Sequence, residues 1–555
     1  MDAARLLDGL DGDQRIAVTT PASPLAILAG PGAGKTRVLT HRVAWRVATG
    51  QADGSRTLVV TFTRRAAAEL RTRLAALGLA DGPTVTTLHA LALSTLHRHG
   101  RRPVIARYPL RILAPLVQAA GLDLSPRQVA AEIGRAKARC LTPDAYARCR
   151  ASGSARAGVA GVFAEYEAVK AERGVVDIDD LPSLCTTMLA QDSEVAAAVQ
   201  WHHRHVVVDE FQDLPRSSFR LLRAVAGDRP DLCVVGDPDQ AVYGFAGADP
   251  RLLTQLGDAL PDLTVVRLRW VHRCPPAILA AATAVLGRPT SAGAEAVHDE
   301  PGPPPTLTGH DDEDAEATAV AWRLRQARAT GRSWSDMAVL ARTNSRLDAV
   351  TAACAAVGVP TRSRRPLLDR PQVRRCLDAL LERPLALPAR VVAAEVRELA
   401  REEPDSATLG ALVELAEEYA ATVAGGTLDG YLAWLDGTVR ARGGEPADRR
   451  PAVDLLTFHR AKGLEWPVVF VVGMEAGTVP LGTGPDEDRQ AEERRLAYVA
   501  LTRSSGAVHL SWAGAHPSPW AEAVSEVAAS AQAADPVSPP PRSVWSRLTP
   551  QVVSI

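Results

Sequence analysis

The sequence predicts an α/β fold of two parallel-sheet domains, each interrupted by a helical insertion. Short β-branched or apolar runs alternate with Ala-, Leu- and Arg-rich helical stretches. The runs are almost continuously apolar, the mark of parallel strands buried on both faces. Two long intervals, 100–195 and 375–450, contain no such run and read as helices.

Strand-like runs occupy residues 25–28, 57–61, 206–208, 232–235 and 263–268 in the first half. Those at 337–340, 453–456 and 468–472 fall in the second. Helical periodicity within 126–133 and 409–422 supports the two insertions. The Gly-, Pro- and Ala-rich segment 290–305 reads as a loop. The proline-rich tail, 531–555, reads as extended and flexible. The expected division is a first domain of 1–99 and 196–270, with 100–195 inserted. A second domain comprises 271–374 and 451–530, with 375–450 inserted.

The composition narrows the function. The chain has 555 residues, 63 Lys+Arg against 64 Asp+Glu, 46% hydrophobic and 23% charged residues. These values exclude a mainly disordered chain, a collagen and a small disulfide scaffold. The length suggests about three to five domains. Neutral charge excludes a uniformly basic nucleic-acid binder and leaves room for local basic tracks. No apolar run approaches the roughly 20 residues of a membrane helix. The acidic N-terminus lacks a signal-peptide core, and the seven cysteines are widely spaced without a C-x-x-C pair. The expectation is a cytoplasmic protein with reduced thiols and no membrane partner. Only four of the 63 basic residues are lysine, namely Lys35, Lys137, Lys170 and Lys462. A lysine here is therefore more informative than an arginine.

One lysine sits in a phosphate-binding pattern. Residues 25–36 read LAILAGPGAGKT: an apolar strand, a glycine-rich turn and Lys-Thr opening a helix. Gly30, Gly32 and Gly34 let backbone N–H groups approach a phosphate, and the helix N-terminus favours the anion. Lys35 would reach the β- and γ-phosphates of ATP, and the Thr36 hydroxyl would ligate Mg²⁺. Ala29 stands where the pattern usually begins with glycine. Residues 206–210, VVVDE, end a buried strand in two carboxylates. Asp209 would hold Mg²⁺, and Glu210 would polarise the attacking water.

With these two motifs the chain is similar to a known family. AGPGAGKTRVL, TFTRRAAAEL, VVVDEFQDLP and VVGDPDQAVYGFAGAD resemble, in order, the motifs of UvrD/Rep/PcrA-type superfamily 1 DNA helicases. HRCPPAIL, LLTFHRAKGLEWPVVFVVG and EERRLAYVALTR continue the series, so the likeness runs from about residue 13 to 513. The resemblance implies two RecA-like P-loop motor domains with ATP between them. It also implies 3′→5′ translocation on single-stranded DNA, usually with strand separation.

The resemblance assigns roles by position. Gln14 corresponds to an adenine-reading glutamine, Arg37 to a phosphate contact and Gln240 to a γ-phosphate sensor. Arg273 and Arg503 correspond to arginines reaching the phosphate from the second motor domain. Glu465 corresponds to a residue near the nucleotide sugar. Lys462 and His459 lie in a segment between nucleotide and DNA. Phe62 and Phe245 match aromatics that stack on bases, with Tyr243 linking the two sites. Thr61, Thr63, Arg64, Thr87 and His89 resemble backbone contacts of the first motor domain, and Thr343 and Asn344 those of the second. Arg98, Arg101, Arg102, Arg107 and Arg111, in a tract without acids, form a further candidate track.

The chain also departs from the family. Val271-His272 replaces a usual Asn-Tyr, so His272 stands where a tyrosine stacks on adenine. Phe245 replaces a usual tryptophan, Phe211 a tyrosine and Ala246 an arginine. The second insertion, 375–450, is much shorter than in full-size relatives. Translocation is accordingly a firmer expectation than processive unwinding. The expected partners are single-stranded DNA and single/double-strand junctions. The alternative is a DNA-gated ATPase subunit working with a nuclease, repair or anti-phage defence partner. A non-catalytic scaffold is disfavoured by the intact ATP-site residues.

Overall fold

A computed structural model describes residues 2–533 apart from 107–108, 150–153, 229–230, 261, 299, 364–366, 385, 403–405, 424, 429, 433, 436–449 and 483–486. In chain order the strands are β1 (Leu25–Ala29), β2 (Thr57–Thr61), β3 (Thr84–Thr87), β4 (Val104–Ile105), β5 (Val175–Val176), β6 (His205–Val208), β7 (Asp231–Gly236) and β8 (Thr264–Leu268). They continue as β9 (Trp270–Val271), β10 (Glu295–Ala296), β11 (Thr306–His310), β12 (Met337–Ala341), β13 (Thr361–Ser363), β14 (Val453–Thr457), β15 (Trp466–Val472) and β16 (Ser504–Ala513).

Two six-stranded parallel sheets result, in the orders β3-β2-β6-β7-β1-β8 and β11-β16-β15-β12-β14-β13. The apolar runs behave as expected of doubly covered strands. In the first sheet Ala26, Leu58, Val60, Val206, Val208 and Val234 face one buried layer. Leu25, Ile27, Ala29, Val59, Val207 and Val235 face the other. The second sheet alternates likewise between Ala338, Leu340, Val469 and Val471 on one side and Met337, Val339, Val468 and Phe470 on the other. Period-two side chains with both faces filled require the mixed α/β packing seen here. The carboxyl ends of β1, β6 and β7 lie side by side in the first sheet, the usual place for a ligand crevice in such sheets.

The insertions have separate cores. Helices Pro109–Ala119, Pro126–Ala138, Pro143–Arg148 and Ser154–Glu172 gather around Ile112, Val129, Ile133, Phe163 and Tyr166. Ser125 caps the second of these with a reciprocal Gln128 bond. The expectation of helices alone over 100–195 requires two corrections. β4 and β5 pair in parallel at its base. Helix Leu181–Gln191 buries Leu181, Cys185, Met188 and Leu189 in the motor core with Leu88, Leu91 and Leu221. In the second insertion, helices Pro371–Leu381, Ala389–Glu402 and Ser406–Thr422 enclose Val373, Val396, Leu412 and Tyr419. The tail expectation also shifts, because helix Pro519–Ala533 continues past residue 531; 534–555 lie outside the described residues. All seven cysteines are free. Among the described residues no helix is long and apolar enough to cross a membrane.

Candidate nucleotide and nucleic-acid site

The loop after β1 is shaped for close backbone approach. Gly32 and Gly34 have φ of 72° and 82°, and Gly34 caps helix Lys35–Ala48 from the left-handed region. A Cβ on Gly32 would lie 2.3 Å from Arg273 Cβ, and one on Gly34 2.7 Å from Gln14 Nε2. The turn is therefore a cradle that side chains would fill. Lys35 Nζ donates to Ala29 O at 3.2 Å and Gly30 O at 3.3 Å, across the mouth of that cradle. Burial depresses the Lys35 pKa. A desolvated ammonium whose hydrogen bonds go to carbonyls is suited to a polyanion. Thr36 is half-buried beside it. Replacing Gly32 with alanine is expected to raise the KM for ATP about tenfold. The added methyl must adopt a left-handed backbone, costing about 1–2 kcal/mol, and displace Arg273. Nucleotide titration of turnover checks this; an unchanged KM sinks it.

The strand β6 delivers the carboxylates. Asp209 is buried, and burial with the adjacent Glu210 charge pushes its pKa up to about 7. A carboxyl so destabilised by burial and a neighbouring like charge fits a divalent cation. Glu210 sits at φ 51°, a strained conformation for a non-glycine residue. Gln212 Nε2 donates to its Oε2 at 2.5 Å. Burial would raise the Glu210 pKa, but Lys462 and Lys35 outweigh it and hold the group below its ordinary value.

Lys462 crosses from the second domain. Its Nζ donates to both Asp213 oxygens at 2.8 and 2.6 Å and to Gln240 O at 2.7 Å. It stands 4.0 Å from Glu210 Oε2 and 5.2 Å from the Tyr243 ring centroid. Gln240 Nε2 donates to Asp237 at 2.6 Å, and its Oε1 accepts from Arg503 Nη2 at 3.4 Å. Arg273 Nε donates to Glu465 at 2.5 Å, and its Nη1 to Thr502 O at 3.4 Å. Lys35, Asp209, Glu210, Gln240, Arg273 and Arg503 thus converge between the two domains.

The outer rim differs in detail from the sequence expectations. The Gln14 side chain donates to Ala33 O at 3.1 Å and closes a capping box with Asp11. Its amide therefore braces the phosphate loop. Arg37 is exposed and reaches Asp8 O at 3.5 Å, away from the loop. His272 donates its backbone N–H to Gly32 O at 3.2 Å and pairs through Nε2 with Asp11 at 2.8 Å. It borders the cradle through the main chain, with its ring on the surface.

A second set of residues forms a row leading from the nucleotide site. Phe62 and Tyr243 stack at 5.3 Å, Tyr243 and Phe245 are 5.8 Å apart, and Phe245 meets the His459 ring edge-on at 5.3 Å. Phe245 and Phe62 are 53% and 39% exposed, unusual for phenylalanine and open to a base. Burial lowers the His459 pKa to about 4, so its ring is neutral and apolar in this row. Helices Arg64–Ala76, Leu88–Arg98 and Asn344–Ala356 begin just after β2, β3 and β12. Thr63 and Thr87 cap the first two through Ala66 N and Ala90 N, while Thr343 occupies the N-cap of the third without such a bond. Arg64 and Asn344 are exposed there. Such N-termini favour phosphate oxygens. His89 is half-buried, and burial lowers its pKa.

Thr61 corrects its expected role as a surface contact. It is the last residue of a strand buried on both faces, and its hydroxyl is buried without a hydrogen-bond partner. In the candidate basic track, Arg98, Arg101 and Arg102 are exposed, while Arg107 lies outside the described residues. Sequence reasoning missed Glu492 and Arg495. Glu492 accepts from Gly244 N at 2.9 Å and Arg495 donates to Ala241 O at 2.6 Å, so the second domain braces the Phe245 turn. Their motif was visible, but a charge on a helix does not announce a partner some 250 residues away.

Known proteins resemble this arrangement throughout the chain. Residues 10–261 match the UvrD/REP helicase N-terminal domain and residues 406–514 the UvrD-like helicase C-terminal domain. ATP-dependent DNA helicase UvrD2 of Mycobacterium tuberculosis is 36% identical over 560 residues, covering 92% of this chain and 79% of that protein. ATP-dependent DNA helicase PcrA of Leuconostoc citreum is 29% identical, covering 91% and 82%. DNA helicase II of Escherichia coli is 27% identical, covering 92% and 85%. With both family domains matched and a relative 36% identical over 92% of its length, the chain belongs to the UvrD/REP helicase family of ATP-dependent DNA helicases.

Proposed function

We propose that this protein converts ATP hydrolysis into 3′→5′ movement along single-stranded DNA and separates strands at single/double-strand junctions. The observation that carries this reading is Lys462. One ammonium group touches Asp213 and the Gln240 carbonyl, lies near Glu210 and faces Tyr243 in the aromatic row. Any movement that changes the phosphate end of this network is felt at the stacking end.

In this reading Gly30, Gly32, Gly34 and Lys35 cradle the phosphates, Glu210 takes a proton from the attacking water, and Gln240, Arg273 and Arg503 meet the γ-phosphate. Thr36 and Asp209 would hold Mg²⁺, which supplies charge neutralisation at the phosphoryl oxygens when bound. Gln14, His272 and Glu465 form the rim around base and sugar, and Arg37, which follows the phosphate loop, contacts phosphate after turning from Asp8 O. Phe62, Tyr243, Phe245 and His459 stack on bases, while Thr63, Arg64, Thr87, His89, Thr343 and Asn344 line the backbone path. The proposed division is two motor domains, 1–99 with 196–270 and 271–374 with 451–530, carrying the insertions, with helix Leu181–Gln191 counted with the first motor core.

Closure of the interdomain cleft on ATP and reopening after hydrolysis would alternate the grip of the two domains. Strand displacement from 3′- and 5′-tailed duplexes, read beside ATP turnover, tests the proposal. Displacement from 3′ tails alone is expected; displacement from 5′ tails alone overturns the polarity. Turnover without displacement would favour the second reading, a DNA-gated ATPase in a larger nuclease, repair or defence assembly. The small second insertion motivates that alternative.

A further inference from the structure

Lys35 and Lys462 belong to the nucleotide site, but the other two lysines do not. Lys137 and Lys170 lie in the first insertion and are 9% and 2% exposed. Lys137, on helix Pro126–Ala138, meets Asp177 at 2.5 Å and both Asp180 and Glu167 at 2.7 Å. Lys170 meets Asp180 at 2.5 Å, Asp177 at 2.9 Å and Glu167 at 3.0 Å. The Tyr166 hydroxyl donates to Asp177 at 3.0 Å. The three carboxylates lie close enough to share a cation. Two ammonium groups already answer them, so the cluster is a closed ionic clasp.

Such a clasp is a costly way to hold helices together. Desolvating several charges offsets much of their attraction, and an apolar core of equal volume would often be as stable. What ionic geometry adds is one defined arrangement of the joined parts. Here the parts are helix Pro126–Ala138, helix Ser154–Glu172 and the segment returning to the motor.

Two contacts show what that arrangement fixes. Gly247, at φ 88°, ends the turn carrying Phe245, and a Cβ there would lie 2.4 Å from Ala138 Cβ. The residue after Lys137 is thus pressed against the stacking turn. On the other side, Asp179 Oδ2 would lie 3.2 Å from a Cβ on Gly134 of the same helix. Asp179 also interacts electrostatically with His89.

We propose that the Lys137–Lys170 clasp is a positioning device for the DNA track, locking helix Pro126–Ala138 behind the Phe245 turn so that the ring is presented to a base. The proposal rests on the reading of Phe245 as a stacking residue. It makes the first insertion part of the single-strand grip, independently of any duplex contact.

The test uses the full chain and ATP turnover titrated with oligothymidylate. In Lys137→Met the half-saturating DNA concentration is expected to rise about tenfold, the equivalent of roughly one stacked base. Turnover at saturating DNA and the KM for ATP stay within about twofold. Lys137→Arg, which retains the charge, restores most of the affinity. Tyr166→Phe loosens the clasp at Asp177 without removing a charge, so it carries the test if Lys137→Met does not fold. The same split is expected. Unchanged half-saturation in a folded variant, with only a lower Tm, overturns the proposal and leaves a structural clasp. Wild-type turnover indifferent to DNA overturns the stacking reading as well.

Discussion

Replacing Arg503 with methionine is expected to lower DNA-stimulated ATP turnover by about 10³–10⁵-fold while leaving thermal stability unchanged or higher. An arginine that meets a transferring phosphoryl group is worth rate factors of this order. The structural argument concerns a buried guanidinium whose hydrogen bonds reach no carboxylate. Arg503 is 1% exposed, and its guanidinium donates to Val499 O, Leu464 O, Thr502 Oγ1 and Gln240 Oε1 at 2.9–3.4 Å. Every one of these acceptors is neutral. Burial lowers its pKa to about 10, and the neighbouring Arg273 pushes the same way, yet the group stays charged near neutrality. Glu210 acts on it electrostatically without a hydrogen bond, so burial still weighs against the charge, and an apolar side chain of similar size is tolerated or preferred. The position makes sense if an anion completes it, and the γ-phosphate would do so beside Gln240. Arg503→Lys should not rescue turnover, because an ammonium cannot reproduce the planar fork. Steady-state turnover and a melting curve on the same variant decide the matter. Retained turnover removes Arg503 from the chemistry, and a large loss of Tm makes it a structural residue.

Much of this site could be read in advance because its parts are local. The phosphate loop, the Asp209-Glu210 pair and the Gln240 segment each follow an apolar strand, and strand, turn and charged residue sit within a dozen positions. Most of the strands found have two apolar faces; β8, largely exposed at a sheet edge, was found from its β-branched run alone. Four strands of the two large sheets escaped, β3, β11, β13 and β16, and two of them show why. β3 is the threonine-rich run Thr84–Thr87 at a sheet edge, and β16 begins with Ser504-Ser505-Gly506 and carries His509 and Trp512. Apolar periodicity is weak in both.

Partnerships were the harder part. Rarity marked all four lysines for attention, but Lys462 finds Asp213 249 positions away and Lys137 finds Asp177 40 away. Spacing along a chain cannot choose among many acids. Nor could the threonines be sorted by motif alone. Thr63 and Thr87 spend their hydroxyls on helix caps, and Thr61 turns into the core.

Glu210→Gln is expected to reduce turnover about 10²–10⁴-fold, the range for losing a positioned general base, with nucleotide and DNA binding retained. The residue is built for a charge that is hard to keep. Asp209 and Glu210 are adjacent at the end of a buried strand, and burial works against both anions. Lys35 and Lys462 oppose that effect at both acids. Lys462 stands 4.0 Å from Glu210 Oε2, and the two ammonium groups hold Glu210 below its ordinary value and therefore ionised near neutrality. The backbone agrees, since holding a glutamate at φ 51° costs roughly 1–3 kcal/mol and needs its surroundings to enforce it. Gln212 supplies part of that enforcement at 2.5 Å. Glutamine keeps the shape and loses the basicity, so binding and chemistry should separate. Fluorescent-nucleotide affinity within about threefold of wild type, beside the fall in turnover, is the expected pair of results. Turnover within about tenfold of wild type would move the base elsewhere. Lost nucleotide affinity would instead mean that Glu210 holds the loop, with Gln212 and Lys462 as its partners in that structural role.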